Sequence, residues 1–155
     1  GYPNLNDDDW LWGGKLDDIH LTITNGVRFT TNAETRASEM PKFGEILKPE
    51  EIAQISTYVV NFTEPQKDAA AVAAGKELFA QNCVACHGED AKGNREFGAP
   101  NLTDAVALYG SSPEQITAQI NASRHGMMPA WGTRLGDATV KELAVFVHSL
   151  GGGEK

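Results

Sequence analysis

The stretch Asn82–Asp90, NCVACHGED, decides how this chain is read. At its centre stands Cys83-x-x-Cys86-His87, the spacing of a covalent haem-attachment site. In such a site the two thiols add across the haem vinyl groups, and the adjacent histidine lies beneath the iron and offers a ring nitrogen. Both thioethers and the axial nitrogen must reach one rigid macrocycle from a single turn of chain. Other readings of the cysteine pair carry less. A disulfide across the pair is open to an exported protein, but two cysteines do not make a disulfide scaffold. A thioredoxin-like pair follows a strand, whereas a helical pattern precedes this one. Zinc calls for further paired ligands, and His20, His125 and His148 show no such pairing.

A haem of this kind usually takes a methionine sulfur as its sixth ligand, which raises the potential of the iron. Downstream lies Met127-Met128-Pro129-Ala130-Trp131-Gly132, and the chain itself offers a ruler for choosing between the two methionines. Met40, Pro41, Phe43, Gly44 and Leu47 match Met128, Pro129, Trp131, Gly132 and Leu135. The match runs on in step: Ile52 with Val140, Ile55 with Leu143, Tyr58 with Phe146, Val59 with Val147. Glu39 stands where Met127 would be, so Met128 is the ligand candidate. Met127 is expected to line the haem pocket or pack apolar surface. Upstream, Pro3-Asn4-Leu5 recurs as Pro100-Asn101-Leu102, and Asn25-Gly26 mirrors His125-Gly126, with VRFTTNAETRASE as an extra loop in the first copy. Two tandem copies of one fold follow, the first without its beginning.

The periodicity predicts helices and no convincing strand. Residues 61–68, polar and containing Pro65, form a linker. AAAVAAGKELFAQN, residues 69–82, reads as a helix with Gly75 and Phe79 four apart. Ser112-Pro113-Glu114-Gln115 opens another through a capping box. The last helix begins after Asp137 and is expected to bury Val140, Leu143, Phe146 and Val147. The first copy has counterparts at residues 16–24 and 49–60. LYGSS and GYPNL are turn chemistry.

The bulk properties narrow the function classes. The chain has 155 residues, 41% hydrophobic and 22% charged, in the range of globular domains. A net charge of −8 argues against nucleic acid or an anionic membrane surface as partner, and suits docking on a basic protein patch. No apolar run approaches the roughly 20 residues that cross a bilayer.

Other candidates follow from position. Pro100 and Leu102 are expected to wall the histidine side of the haem. Trp131 and Arg124 are candidates for contact with the haem edge or its propionates. His125 is read as a surface or propionate residue, His20 as an exposed helix residue, and His148 as a cation suited to the last helical turn. The acidic run DDDW, Asp7–Trp10, is read as a solvated loop or a docking feature.

GKELFAQNCVACHGEDAKGN, GAPNLTD, MPAWGTRL and KELAVFVHSL together resemble a class I cytochrome c domain. GYPNLNDDDWLWGG, LDDIHLTITNGVR, SEMPKFGEIL and EIAQISTYV resemble the first haem domain of the dihaem subunit of cbb3-type cytochrome c oxidases, the FixP/CcoP family. NDDDWLWGG is the most specific piece, and the likeness covers essentially the whole chain. It implies an all-α protein of tandem class I cytochrome c domains. Residues 1–64 would be the C-terminal part of a first domain with no CxxCH, and residues 65–155 a second domain with one covalent haem c on Cys83 and Cys86, ligated by His87. A second haem c is expected in the full-length family member. The missing signature would lie shortly before Gly1, and the family's membrane anchor is likewise absent from these residues.

The resemblance also implies a location on the periplasmic side of the bacterial inner membrane. Its implied partners are the other subunits of the terminal oxidase and an electron-donating cytochrome. It further implies a crossed arrangement, in which each module's methionine serves the other module's haem; Met40 would then ligate the iron at His87. Local ligation by Met128 needs fewer assumptions about docking, so both assignments stay open at this level.

Electron transfer toward the oxygen-reducing subunit is the leading function, with no catalytic acid, base or nucleophile required of the chain. The alternatives are a soluble dihaem carrier serving other redox enzymes and a gas-sensing haem with a displaceable methionine. The module from about Ala69 onward is small for a self-sufficient core, so the haem is expected to supply much of it.

Overall fold

A computed structural model of the chain describes residues 3–155. The turn read at Gly1 and Tyr2 lies outside the described residues. The protein is all-α: α1 (Leu16–Asn25), α2 (Pro49–Val60), α3 (Ala69–Asn82), α4 (Val84–His87), α5 (Pro113–Asn121), α6 (Gly132–Leu135) and α7 (Asp137–His148), with a 3₁₀ turn at Phe43–Glu45. Extended pairing among the described residues is confined to isolated bridges.

Local chemistry sets the helix starts. Asp68 Oδ1 accepts from Ala71 N at 2.9 Å ahead of α3. Ser112 and Gln115 form the expected reciprocal capping box before α5, at 3.3 and 3.1 Å. Lys48 cannot cap with its own side chain, so the Glu51 carboxylate reaches back to Lys48 N at 2.8 Å, while Pro49 takes the first helical position.

The described residues gather into two compact units. One comprises the residues up to Ser38, Arg95–Gly98 and His125–Lys155; the other comprises Glu39–Asn94 and Ala99–Arg124. This division cuts across the sequence modules 1–64 and 65–155. The first unit pairs α1, from the first copy, with the Met128 loop, α6 and α7, from the second. The other unit pairs the Met40 loop and α2, from the first copy, with α3, α4 and α5, from the second.

In the α1–α7 unit, Ile19 and Ile23 meet Val140 and Ala144, with Trp10, Met128, Trp131, Leu143 and Val147 packed around them. In the α2–α3–α5 unit, Phe43, Ile52, Ile55, Val59, Phe79, Cys83, Ala91 and Ile120 form the core. Helices α2 and α3 cross closely there. A Cβ on Gly75 would lie 2.1 Å from Gln54 O and 2.8 Å from Tyr58 Cβ. Next to that crossing Tyr58, Phe62 and Phe79 pack edge to face, with ring centroids 4.8 to 6.3 Å apart.

The matching methionine loops are seated alike. A Cβ on Gly44 would lie 2.9 Å from Asn121 O at the end of α5, and one on Gly132 would lie 3.0 Å from Thr24 O at the end of α1. Ser123 Oγ donates to Met40 O at 2.6 Å. Val27 and Met128 exchange two backbone hydrogen bonds of 2.9 Å, and Trp131 N donates to Ile23 O at 3.0 Å. Superposing the isoleucine stripes Ile19/Ile23 and Ile116/Ile120 makes Ser123 the counterpart of Gly26. The expected pairing of Gly26 with Gly126 is thereby corrected, because helix ends fix the register and isolated Gly dipeptides do not. The extra loop after Val27 folds on itself through Arg28 N to Arg36 O at 2.9 Å.

Met127 is 55% exposed. Three further expectations change. Phe146 is 59% exposed rather than buried. Its counterpart Tyr58 packs edge to face on Phe79 of α3. His20 is half-buried on α1, with Nε2 3.5 Å from Asp137 Oδ1 at the start of α7. Trp10, at the end of the acidic run, is held rather than solvated: its Nε1 donates to Gly152 O at 2.6 Å.

The glycine contacts set a graded test. Gly75→Ala drives a methyl into backbone and is expected to cost about 1–3 kcal/mol, as overpacking does. Gly136 has φ +77° and ψ 159°, a region essentially confined to glycine, with open space around it, so Gly136→Ala costs only backbone strain of about 1–3 kcal/mol and leaves packing intact. Urea titration of the haem-loaded chain, followed by circular dichroism, separates the two. Equal effects with unchanged near-ultraviolet spectra would remove the crossing argument.

Candidate haem site

The CxxCH segment is built as one tight turn added to the end of a helix. Cys83 closes α3 by donating from its N to Phe79 O at 2.8 Å, and then begins α4 by accepting from His87 N at 2.9 Å and Cys86 N at 3.2 Å. Gly88, at φ +79°, ends that turn with a bond to Val84 O at 2.9 Å. Both cysteines are free thiols; Cys83 is buried and Cys86 half-buried. Burial first, and Cys86 second, push the Cys83 thiol up to about 11.

The chain after His87 folds back over the ring. Gly93 N donates to His87 O at 2.8 Å, Asn94 and Ala99 exchange bonds of 3.1 and 3.0 Å, and Leu102 N donates to Ala91 O at 2.8 Å. Ala91 has φ 58° and is fully buried, so the bend is tight. Gly93 is required there: its Cβ would lie 2.3 Å from Ala99 O and 2.7 Å from Pro100 C. This bracket brings Pro100 O to 3.1 Å from His87 Nδ1.

A carbonyl only accepts, so Nδ1 carries the hydrogen and Nε2 keeps its lone pair. Burial lowers the proton affinity of His87, partly opposed by the Pro100 carbonyl. The result is a neutral imidazole, oriented by a carbonyl partner, in the state that ligates iron. Two unjoined thiols on the same turn and this ring fit covalent haem c. Among the described residues no group of three His, Cys, Asp or Glu could hold a metal ion, so zinc gains nothing.

The other sequence candidates divide between the units. Leu102 packs against the core that contains Cys83, and so does Met40. Arg124 lies in this unit too. It sits 5.0 Å over the Tyr109 ring, and its N and Nε donate to Gln119 Oε1 at 3.2 and 3.5 Å. Met128 and Trp131 lie in the other unit, against Ile19, Ile23, Val140 and Ala144; Arg134 stacks on Trp131 at 5.3 Å. His125 is half-buried in that same unit. Sequence reasoning missed Ser123, Ala91 and Gly93. The isoleucine register could have found Ser123; nothing in a single sequence marks Ala91 as left-handed.

An all-α core around CxxCH, with its histidine held by a proline carbonyl, defines the class as a c-type cytochrome. The family described as "Cytochrome C oxidase, cbb3-type, subunit III" matches residues 70–147. The chain belongs to that family. It is 59% identical over 154 residues to the cbb3-type cytochrome c oxidase subunit FixP of Sinorhizobium medicae (strain WSM419), covering 99% of this chain and 53% of that protein. It is 58% identical over 154 residues to FixP of Rhizobium meliloti (strain 1021), with the same coverage. It is 51% identical over 156 residues to CcoP of Cereibacter sphaeroides, covering 99% and 54%. The chain thus spans about half the length of the curated relatives it matches.

Gly93→Ala tests the bracket around His87. The added methyl meets the Ala99–Pro100 backbone at φ +84°, so the Pro100 carbonyl must move. The expected outcome is a loss of about 2–4 kcal/mol in unfolding by urea, overpacking and strain together. The haem-loaded protein should also show a reduced low-spin fraction by absorption spectroscopy. An unchanged spectrum at lowered stability would detach Pro100 from the histidine.

Proposed function

We propose that this chain is an electron-transfer module of a cbb3-type oxidase, carrying one covalent haem c on Cys83 and Cys86, with His87 and Met40 as axial ligands. When bound, the haem supplies a reversible one-electron iron couple. The residues of the chain do the rest. Cys83 and Cys86 tether, Pro100 fixes the tautomer and plane of His87, and Ser123 fixes the backbone of Met40. Phe79, Ile120, Leu102 and their neighbours keep the surroundings apolar.

One observation carries the choice of Met40: it packs on the core that includes Cys83, whereas Met128 packs on the Ile19–Val140 cluster. This is the crossed assignment. Under it, Met128 serves a haem carried by the half of the full-length protein not represented in these residues. The proposed partners are the other oxidase subunits and an electron-donating cytochrome, in keeping with the names of the relatives. Thioether attachment suits an oxidising compartment, which supports a periplasmic location for the module. No helix of the described residues is long and apolar enough to cross a membrane.

Methionine replacement in the haem-loaded chain tests the reading. Met40→Ala is expected to abolish the methionine–iron charge-transfer band and lower the reduction potential by at least about 0.1 V, a fraction of the ~0.8 V that axial ligands span. Met128→Ala should leave both unchanged. The reverse pattern would restore local ligation. A pyridine haemochrome assay is expected to return one haem per chain, and none in Cys83→Ala/Cys86→Ala.

A further inference from the structure

Helix α1 begins badly on its own. Its N-cap is Lys15, which makes no side-chain cap, although Asp17 and Asp18 suit the dipole of the first turn. Something else must hold the entry, and the α1–α7 unit contains it. After α7 the chain turns at Gly151, φ +124°, and runs back over residues 7–14. Gly152 is buried, and a Cβ there would lie 1.7 Å from Asp7 O. Gly152 O accepts from Trp10 Nε1 at 2.6 Å. Gly14 sits under the same indole, where a Cβ would fall 2.4 Å from Trp10 Cδ1.

Glu154 then closes on Gly14 from both sides. Its backbone N donates to Gly14 O at 2.9 Å, and its Oε2 accepts from Gly14 N at 2.8 Å. Arg95 Nη1 donates to the same oxygen at 2.7 Å, and Arg95 also pairs with Oε1. His148 Nε2 donates to Glu154 O at 2.7 Å. A carboxylate is thereby fixed at the residue immediately before the N-cap, at the positive end of α1.

We propose that Gly151–Glu154 is a strap that pins the segment entering α1 and sets the Glu154 carboxylate at the positive end of that helix, with Trp10 as its anchor. The strap sets more than one helix end. Ile19 and Ile23 of α1 form the cluster on which Met128 and Trp10 both pack, so the strap presets the seat of the Met128 loop. It also accounts for part of the DDDWLWGG stretch: Trp10 gives the strap its anchor, and Gly14 gives it room.

Amide hydrogen exchange on the haem-loaded chain, read by mass spectrometry, tests this. Glu154→Ala is expected to speed exchange in the first turn of α1 about two- to fivefold, the range a charge at a helix end carries, and to leave α2 and α3 unchanged. Adding Lys15→Asp, which supplies a local cap, should return α1 to its original rate. If α1 exchange does not change in Glu154→Ala, the strap does not stabilise the start of α1. If exchange rises throughout the chain, the double variant decides: rescue by Lys15→Asp upholds the proposal, and failure of rescue overturns it.

Discussion

A methionine loop of this type can seat only where its glycine meets the end of a helix. Gly44 lies on the last carbonyl of α5, and Gly132 lies on the end of α1. A side chain at either position would lift the loop off and move its sulfur. These two approaches do the same work in the two units, and each joins a loop from one sequence copy to a helix from the other. The identity of the methionine that shares a core with Cys83 follows from this seating, not from distance along the chain.

The histidine side depends on a different constraint. His87 is nearly dry, and burial alone would favour the neutral ring without choosing which nitrogen keeps the hydrogen. The Pro100 carbonyl makes that choice. Proline is a suitable residue here because it has no N–H of its own to satisfy and a fixed φ, so its carbonyl direction is set by the bracket Gly93–Ala99. The Phe79 ring, 6.5 Å from the imidazole, closes the α3 side. The electron-transfer role asks little else of these residues than that they stay put.

Much of this was legible in the sequence. Every long helix fell where periodicity and capping chemistry put it, because those signals are local: Ser112 with Gln115, Pro49 in the first turn, Gly26 at the end of α1. CxxCH is a local signal of the same kind, and the structure folds it as one tight turn at the end of α3. The burial of Phe146 was misread because a helical stripe reports which side is apolar, not whether a partner helix covers it. The choice between Met40 and Met128 was not legible either. Both loops carry the same residues, and the difference lies in a long-range pairing that single-sequence patterns do not encode. His20 and Trp10 escaped for that reason too, since each finds its partner at the far end of the chain.

The exchange of loops has a thermodynamic consequence for how the chain holds together. In a plain tandem array each repeat would own its core, and a linker such as residues 61–68 would separate two independent transitions. Here α2, which precedes that linker, supplies Ile52, Ile55 and Val59 to the core that houses Cys83 and Phe79. Helix α7, from the last third of the chain, supplies Val140 and Ala144 to the core of α1. Among the described residues, both of these apolar clusters draw on both sequence copies. The unit of sequence duplication and the unit of cooperative packing are therefore different objects, and Cys83 and His87 sit in a core built by the second.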